Sequence, residues 1–199
     1  MGAASGGRGM IRLRETAEQD LDFVIAAERA EENRPFVAQW TWEQHRAALA
    51  DPDVRHLVIE RSGDHTPVGY VILAGLESPH QSVEFRRIVV TEKGRGYGKG
   101  ALRLVKQLAF EQLGAHRLWL DVKDHNARAR HVYGAEGFVV EGTLRECFKA
   151  GEAFESLVVM PLLREEYEWA MDKGHSAEST SCRELIREDP HGSADGRPS

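Results

Sequence analysis

Residues 83–122 read VEFRRIVVTEKGRGYGKGALRLVKQLAFEQLGAHRLWLDV, and this stretch decides the fold. Val83–Val90 is rich in β-branched residues and reads as a strand. Thr91–Gly98 contains Gly94, Gly96 and Gly98 and reads as a loop. Lys99–Leu113 carries Ala101, Leu104, Val105, Leu108 and Leu113 at helical spacing, which makes a wide apolar face. Gly114 is a natural helix stop, and Arg117–Val122 reads as a second strand. The sum is one βαβ unit, expected to be parallel and right-handed.

The flanks read differently. Upstream, Ile11–Glu15 is a short strand. Thr16-x-x-Gln19 is a capping box that predicts a helix to about Ala30, and Thr41-x-x-Gln44 predicts a second to about Ala50, ended by Asp51-Pro52. Val54–Glu60 and Val68–Leu76 are strands around the turn Ser62-Gly63-Asp64, and Pro79 marks the next turn. Downstream, Asn126–Glu136 is a short helix stopped by Gly137. Val139–Phe148 and Phe154–Met160 flank Gly151 as a hairpin, and Leu162–Met171 is a last helix. The fold class is therefore α/β in the mixed α+β sense: an antiparallel meander, one parallel step, helices on both faces and a C-terminal hairpin.

A chain of 199 residues fits one domain. Residues 1–9 and 174–199 have compositions too poor in apolar surface to fold, which leaves a domain of 10–173. Within that tail Arg183–Glu188 could form a helical turn and is a candidate docking element. The net charge of −6 argues against a nucleic-acid partner. No apolar run has the ~20 residues of a membrane span, and MGAASGGRGM lacks the apolar core of a secretory signal, so the expected location is cytoplasmic. Cys147 and Cys182 are the only cysteines and the nine histidines show no ligand spacing, so no metal is expected. The sequence leaves the oligomeric state open, with a homodimer as one candidate.

Glycines before a helix let a ligand approach the backbone, and the helix start offers free N–H groups to phosphate oxygens. A plain tight turn is the bland alternative. A nucleoside-triphosphate loop fails, because Gly98-Lys99 is followed by Gly100 rather than Ser or Thr. Gly96-x-Gly98-x-x-Ala101, with Asp121 about 20 residues on, matches an NAD(P)-binding dinucleotide loop. That reading suffers from context: Thr91–Arg95 separate the strand from the glycines, and an antiparallel meander precedes them. The third reading is Arg95-x-x-Gly98-x-Gly100, a cradle for the pyrophosphate of coenzyme A.

With Val90 five residues before Arg95, and with Asn126-x-x-Ala129-x-x-x-Tyr133-x-x-x-Gly137-Phe138 downstream, the sequence resembles the GNAT superfamily of N-acetyltransferases. Element order agrees over roughly residues 10–165. Glu141–Glu146, Gly151 and Leu162–Tyr167 also resemble the branch that acetylates ribosomal-protein N-termini.

The resemblance implies acetyl-CoA as co-substrate and direct transfer to a primary amine, on a small molecule or a protein N-terminus. A non-catalytic acyl-CoA-binding module is an alternative. Ile88, Val89 and Val90 would line the pantetheine arm through their backbone. Arg95, Gly96, Tyr97, Gly98, Lys99 and Gly100 would hold the diphosphate, and Asn126 would cap its helix and touch the arm.

Glu84, six residues before Val90 and so expected on the same strand face, matches the spacing of a general base in histone-acetylating relatives. An ordinary carboxyl near ~4.3 is a weak base for an amine near ~10, so it would need a raised pKa or an intervening water. The alternative is a structural pair with Arg86 or Arg87. Tyr133 would be the general acid toward the leaving thiolate, and packing on the core is its alternative. Glu31, Glu32, Asn33 and Trp40 would meet the acceptor. A solvated helix end and a core tryptophan would look the same in sequence.

Overall fold

A computed structural model describes residues 10–173; the readings for 1–9, 174–199 and Arg183–Glu188 lie outside the described residues. Among the described residues seven strands occur: β1 (Ile11–Glu15), β2 (Val54–Arg61), β3 (Pro67–Ala74), β4 (Ser82–Val90), β5 (Arg117–Lys123), β6 (Gly142–Ala150) and β7 (Ala153–Leu163). They form one sheet in the order β1-β2-β3-β4-β5-β7-β6. Only β4 and β5 are parallel. The helices are α1 (Leu21–Arg29), α2 (Trp42–Ala50), α3 (Tyr97–Gln107), α4 (Ala127–Ala135) and α5 (164–173). The mixed-sheet expectation holds, and its single parallel step lies where the βαβ unit was read.

The sheet buries both faces. On one, Leu57, Val71, Leu73, Phe85, Leu118 and Leu120 pack against Ala101, Leu102 and Val105 of α3. On the other, Tyr70, Ile72 and Val89 pack against Val24 and Ala27 of α1. Each fully buried Leu, Ile or Val contributes roughly 1.5–3 kcal/mol.

Four local expectations are corrected. The Thr16 capping box does not form: the Thr16 hydroxyl meets His56 Nδ1 at 2.9 Å, and the Ala17 N–H donates to Asp20 instead. A short 3₁₀ turn, Glu18–Asp20, therefore precedes α1. By contrast the Thr41 box forms fully, with Gln44 N–H donating to the Thr41 hydroxyl and Thr41 N–H to the Gln44 side chain. Helix α3 starts at Tyr97, two residues early, because Gly96 takes a left-handed conformation (φ 79°) that turns the chain into it. The helix then widens into a π turn, Leu108–Gln112, which lets consecutive Leu108, Ala109 and Phe110 all be buried.

The fourth correction concerns β4. Ile72 pairs with Arg87, but Leu73 pairs with Phe85, so Arg86 is an extra residue in the strand. Such a bulge reverses the side-chain alternation beyond it. Val83 and Phe85 join the core under α3, whereas past the bulge Val89 joins the α1 face and Val90 the α3 face. Glu84 and Val90 therefore lie on opposite faces.

Candidate active site

The parallel register of β4 and β5 runs Ser82↔Arg117, Val83↔Leu118 and Glu84↔Trp119, and then stops. Beyond it, Phe85–Val90 and Leu120–Lys123 diverge, each still paired on its other side to β3 or β7. A parted strand pair leaves backbone donors and acceptors that need a partner. Ile88, Val89 and Val90 lie on this open edge, with Ile88 half-buried and Val89 and Val90 buried.

The glycine loop meets the end of β4. Gly94 and Gly96 both have positive φ (77° and 79°), and a Cβ on either would meet nothing within 4 Å. Gly98 is as open: its nearest neighbour, Val90 Cγ2, lies 3.9 Å from a Cβ built there. The backbone N–H groups of Tyr97, Gly98 and Lys99 start α3 and have no partner within the helix. A helix start with open space at Gly94, Gly96 and Gly98 suits phosphate oxygens. Arg95 is exposed, 3.8 Å from Glu92, and Lys99 lies 3.4 Å from Glu136, so both cations stand at the rim.

Two members of the expected cradle serve otherwise. The Gly100 N–H closes the first turn on the Gly96 carbonyl at 2.9 Å, and its Cα packs on Ile11, whose Cδ1 would sit 3.2 Å from a Cβ. Tyr97 buries its ring in the core, so only its backbone faces the loop.

Helix α4 lies alongside. The Asn126 side chain accepts from Ala129 N–H at 3.1 Å, which is the capping role read from sequence. Tyr133 packs edge-on to Phe138 (6.1 Å between ring centres). Burial and the charge of Asp121 push its phenol up to about 12.

Asp121, which the sequence offers only as the acidic partner of a dinucleotide loop, stands near Glu84 and Tyr133 instead. It alternates with buried Leu120 and Val122 and so faces away from the α3 core. Loss of hydration, with the Glu84 charge, raises its carboxyl, while Arg86 opposes. Its parity with Glu84, through Glu84↔Trp119, was the available clue. Glu84 itself is held by Arg86, which donates at 3.0 and 2.7 Å, the structural alternative for this residue.

The acceptor residues divide. Glu31 and Glu32 are exposed on the turn between α1 and α2. Asn33 is buried: its Nδ2 donates to the Ala27 carbonyl and its Oδ1 accepts from Lys93, so it braces the turn rather than facing a substrate. The Arg87 guanidinium lies over the Trp40 ring (4.4 Å), and the Trp40 backbone N–H donates to Glu28. Cys147 is exposed in β6, and no group of three potential ligands could hold a metal ion among the described residues. No helix there is long and apolar enough to cross a membrane.

A parted parallel pair beside a glycine-built helix start defines an acyl-carrier-dependent transferase. The acetyltransferase (GNAT) family model matches residues 21–138, from the start of α1 to just beyond α4. That is more than half of the chain, which belongs to this family and is an N-acetyltransferase acting with acetyl-CoA on an amine.

Among its relatives is a spermidine N(1)-acetyltransferase of Escherichia coli (strain K12). It is 26% identical over 79% of this chain and 88% of the relative. A second, from Vibrio cholerae, is 26% identical over 79% and 95%. The solved Vibrio cholerae spermidine N-acetyltransferase in complex with CoA and spermine superposes with TM-score 0.72, at 24% identity, over 79% of this chain and 98% of that one. The dinucleotide alternative falls with this assignment, since its fold repeats βαβ units and here one parallel pair interrupts an antiparallel sheet.

Proposed function

We propose that the chain transfers the acetyl group of acetyl-CoA directly to a primary amine of a small polycation of the polyamine class. The divergence of β4 and β5 after Glu84↔Trp119, beside the free amides of Tyr97, Gly98 and Lys99, is the observation that carries the direct-transfer reading. The co-substrate supplies an activated acetyl thioester. This chain's own residues bind and orient it: the α3 start takes the diphosphate, with Arg95 and Lys99 adding charge. The open edge of Ile88–Val90 offers backbone hydrogen bonds.

The acceptor class follows from the relatives' names and from charge. Glu31 and Glu32 on the α1–α2 turn, with Glu84 and Asp121 on the facing strands, give an approaching cation several carboxylates. Asp121 is the better placed proton acceptor, since its raised carboxyl lies nearer to an amine and Arg86 occupies Glu84. Tyr133 donates a hydrogen bond to the departing thiolate.

A thiol-release assay with acetyl-CoA tests the reading. Spermidine and spermine should outpace simple alkylamines and peptides with free N-termini. Preference for peptides would move the acceptor to protein N-termini, and CoA binding with no release for any amine would leave only a binding module.

We also read the chain as a homo-oligomer. β6 is an edge strand, and Val139, Val140, Leu144 and Phe154 near it are exposed apolar side chains. A Vibrio cholerae spermidine N-acetyltransferase of the same fold (TM-score 0.68) is dodecameric. Light scattering of the full chain decides between monomer, dimer and larger assemblies.

A further inference from the structure

The turn between α1 and α2 is tied to both lips of the parted strands. Lys93 stands three residues past the end of β4, and its ammonium donates to Asn33 Oδ1. Lys123 is the last residue of β5, and its ammonium donates to the Pro35 carbonyl at 2.8 Å. By these points β4 and β5 have long separated. Two cations, one from each diverging strand end, therefore grip positions two residues apart on a single turn.

Both anchors are braced from behind. Asn33 is buried, and its Nδ2 donates to the Ala27 carbonyl at 2.9 Å, so its amide oxygen is fixed toward Lys93. Lys123 also meets Glu155 at 2.8 Å and lies over the Phe148 ring at 5.3 Å, so the β6–β7 hairpin supports it. Phe36, next along the turn, has its ring centre 6.4 Å from that of His125, just beyond β5. Ordering a lysine costs rotamer entropy. A charged donor on a carbonyl or amide oxygen is among the stronger hydrogen bonds and offsets that cost.

We propose that Lys93 and Lys123 are positioning residues that hold turn 30–37 closed across the open end of the β4–β5 cleft. There the turn keeps water from the acyl group and fixes the path of the incoming amine. Neither lysine touches the reacting atoms. The inference rests on the acetyl-transfer reading above.

The test uses the full chain with Lys93→Met, Lys123→Met and Lys93→Arg, with hydrogen exchange of the 30–37 amides as the first readout. Losing one charge-assisted bond should speed exchange there about tenfold in each Met variant, with the sheet unchanged, while Lys93→Arg keeps the native rate. With spermidine as probe, KM should rise about tenfold while kcat changes less, and acetyl-CoA hydrolysis without acceptor should increase. Native exchange in 30–37 in both Met variants overturns the proposal, and so does faster exchange with unchanged KM. Should Lys123→Met fail to fold, Lys93→Met decides, because the Lys93 residue is largely exposed. Exchange needs no turnover: a native chain that acetylates no amine defeats the proposed function, while protection of 30–37 still decides whether the lysines hold the turn.

Discussion

Glu28 of α1 and Arg87 of β4 form an ion pair 59 residues apart in sequence, with side-chain exposures of only 1% and 8%. Glu28 also accepts from the Tyr70 hydroxyl and the Trp40 N–H, and His45 Nε2 lies 3.1 Å away. Burial alone would raise this carboxyl. The close approach of His45 and the hydrogen bonds of Tyr70 and the Trp40 backbone, with the Arg87 charge, outweigh it and hold the group below its ordinary value. The pair fixes the residue that follows the β4 bulge against α1, and so sets the α1 face of the sheet. Glu28→Gln should cost about 3–5 kcal/mol, because Arg87 would be left buried without its counter-charge. Adding Arg87→Met should recover part of the loss. Urea melts of both variants check this; a single-variant loss under about 1 kcal/mol would refute the buried-pair account.

His56 extends the same network, with Nε2 3.1 Å from His45 Nδ1 and Nδ1 2.9 Å from Thr16. Burial first, then the His45 and Arg87 charges, push it down to about 3 against the opposing pull of Glu28 and Asp20. The unfolded chain takes up this proton near pH ~6.5, while the folded chain does not until about pH 3. Stability from neutral His56 is therefore complete above pH ~6.5 and is lost as pH falls toward 3, by at most about 1.4 kcal/mol per pH unit. His56→Gln should flatten that part of the stability profile. Thermal melts at pH 7, 5.5 and 4 measure the difference, and parallel profiles would count against the assignment.

Much of this was legible in sequence, because strong local signals coincide with tertiary needs. Gly96 and Gly114 have positive φ inside the expected loop Thr91–Gly98 and at the expected helix stop, and Thr41 caps α2. The failures share a cause: a distant partner outbids the local pattern. His56, 40 residues away, takes the hydroxyl of Thr16. The bulge at Arg86 answers to the pairing of β3, so Glu84 could not be assigned a face from spacing alone. Asn33 looks like a surface residue beside Glu31 and Glu32, but Ala27 and Lys93 enclose it. The glycine loop is legible because it is built from backbone, whereas the α1–α2 side is assembled from long-range side-chain contacts.

Gly98 separates folding from binding. A Cβ there has room, so Gly98→Ala should fold and gain slightly from helix propensity. Gly98→Glu places a carboxylate in the first turn of α3, which favours the helix dipole but repels a diphosphate. We expect an unchanged or raised melting temperature with CoA affinity down by about 100-fold or more, the loss of a few phosphate hydrogen bonds plus like-charge repulsion. Calorimetric titration with CoA checks it. Tight binding by the folded Glu variant would move the diphosphate elsewhere. Gly69 is the contrast: its added Cβ would lie 2.2 Å from the Val89 carbonyl oxygen, so Gly69→Ala should destabilise the sheet itself.

Asp121 should trade stability for activity. Asp121 is an exposed strand residue, yet the surrounding chain strips part of the hydration of its carboxyl and, with the Glu84 charge, raises it, so the native state binds this proton more tightly than the unfolded chain does. Stability contributed by the protonated form is present at low pH and is lost as pH rises through the raised value. Asp121→Asn removes that penalty. The variant should melt higher than native at pH 7 and no higher at pH 3, while its turnover falls. A lower melting temperature at pH 7 would contradict the sign, and unchanged turnover would return the base role to water or Glu84.

Tyr133, on the helix that follows β5, feels the charge of Asp121. Burial, with the Asp121 charge, pushes its phenol up to about 12, so it stays protonated across any working pH. A leaving thiolate resembles a free thiol with pKa ≈ 8–9. Full proton transfer from a phenol near 12 would run uphill, so the role proposed for Tyr133 is hydrogen bonding to the sulfur more than handing over its proton. Tyr133→Phe should then lower kcat by about 10- to 100-fold, the worth of one strong hydrogen bond, and not by the 10⁴-fold upper range of acid catalysis. CoA affinity should stay within about twofold, since the ring still packs on Phe138. The native pH–rate profile should show no fall attributable to this phenol below about pH 11. A Phe variant with native kcat, or a native profile that falls near pH 9 and loses that fall in the variant, would refute the role.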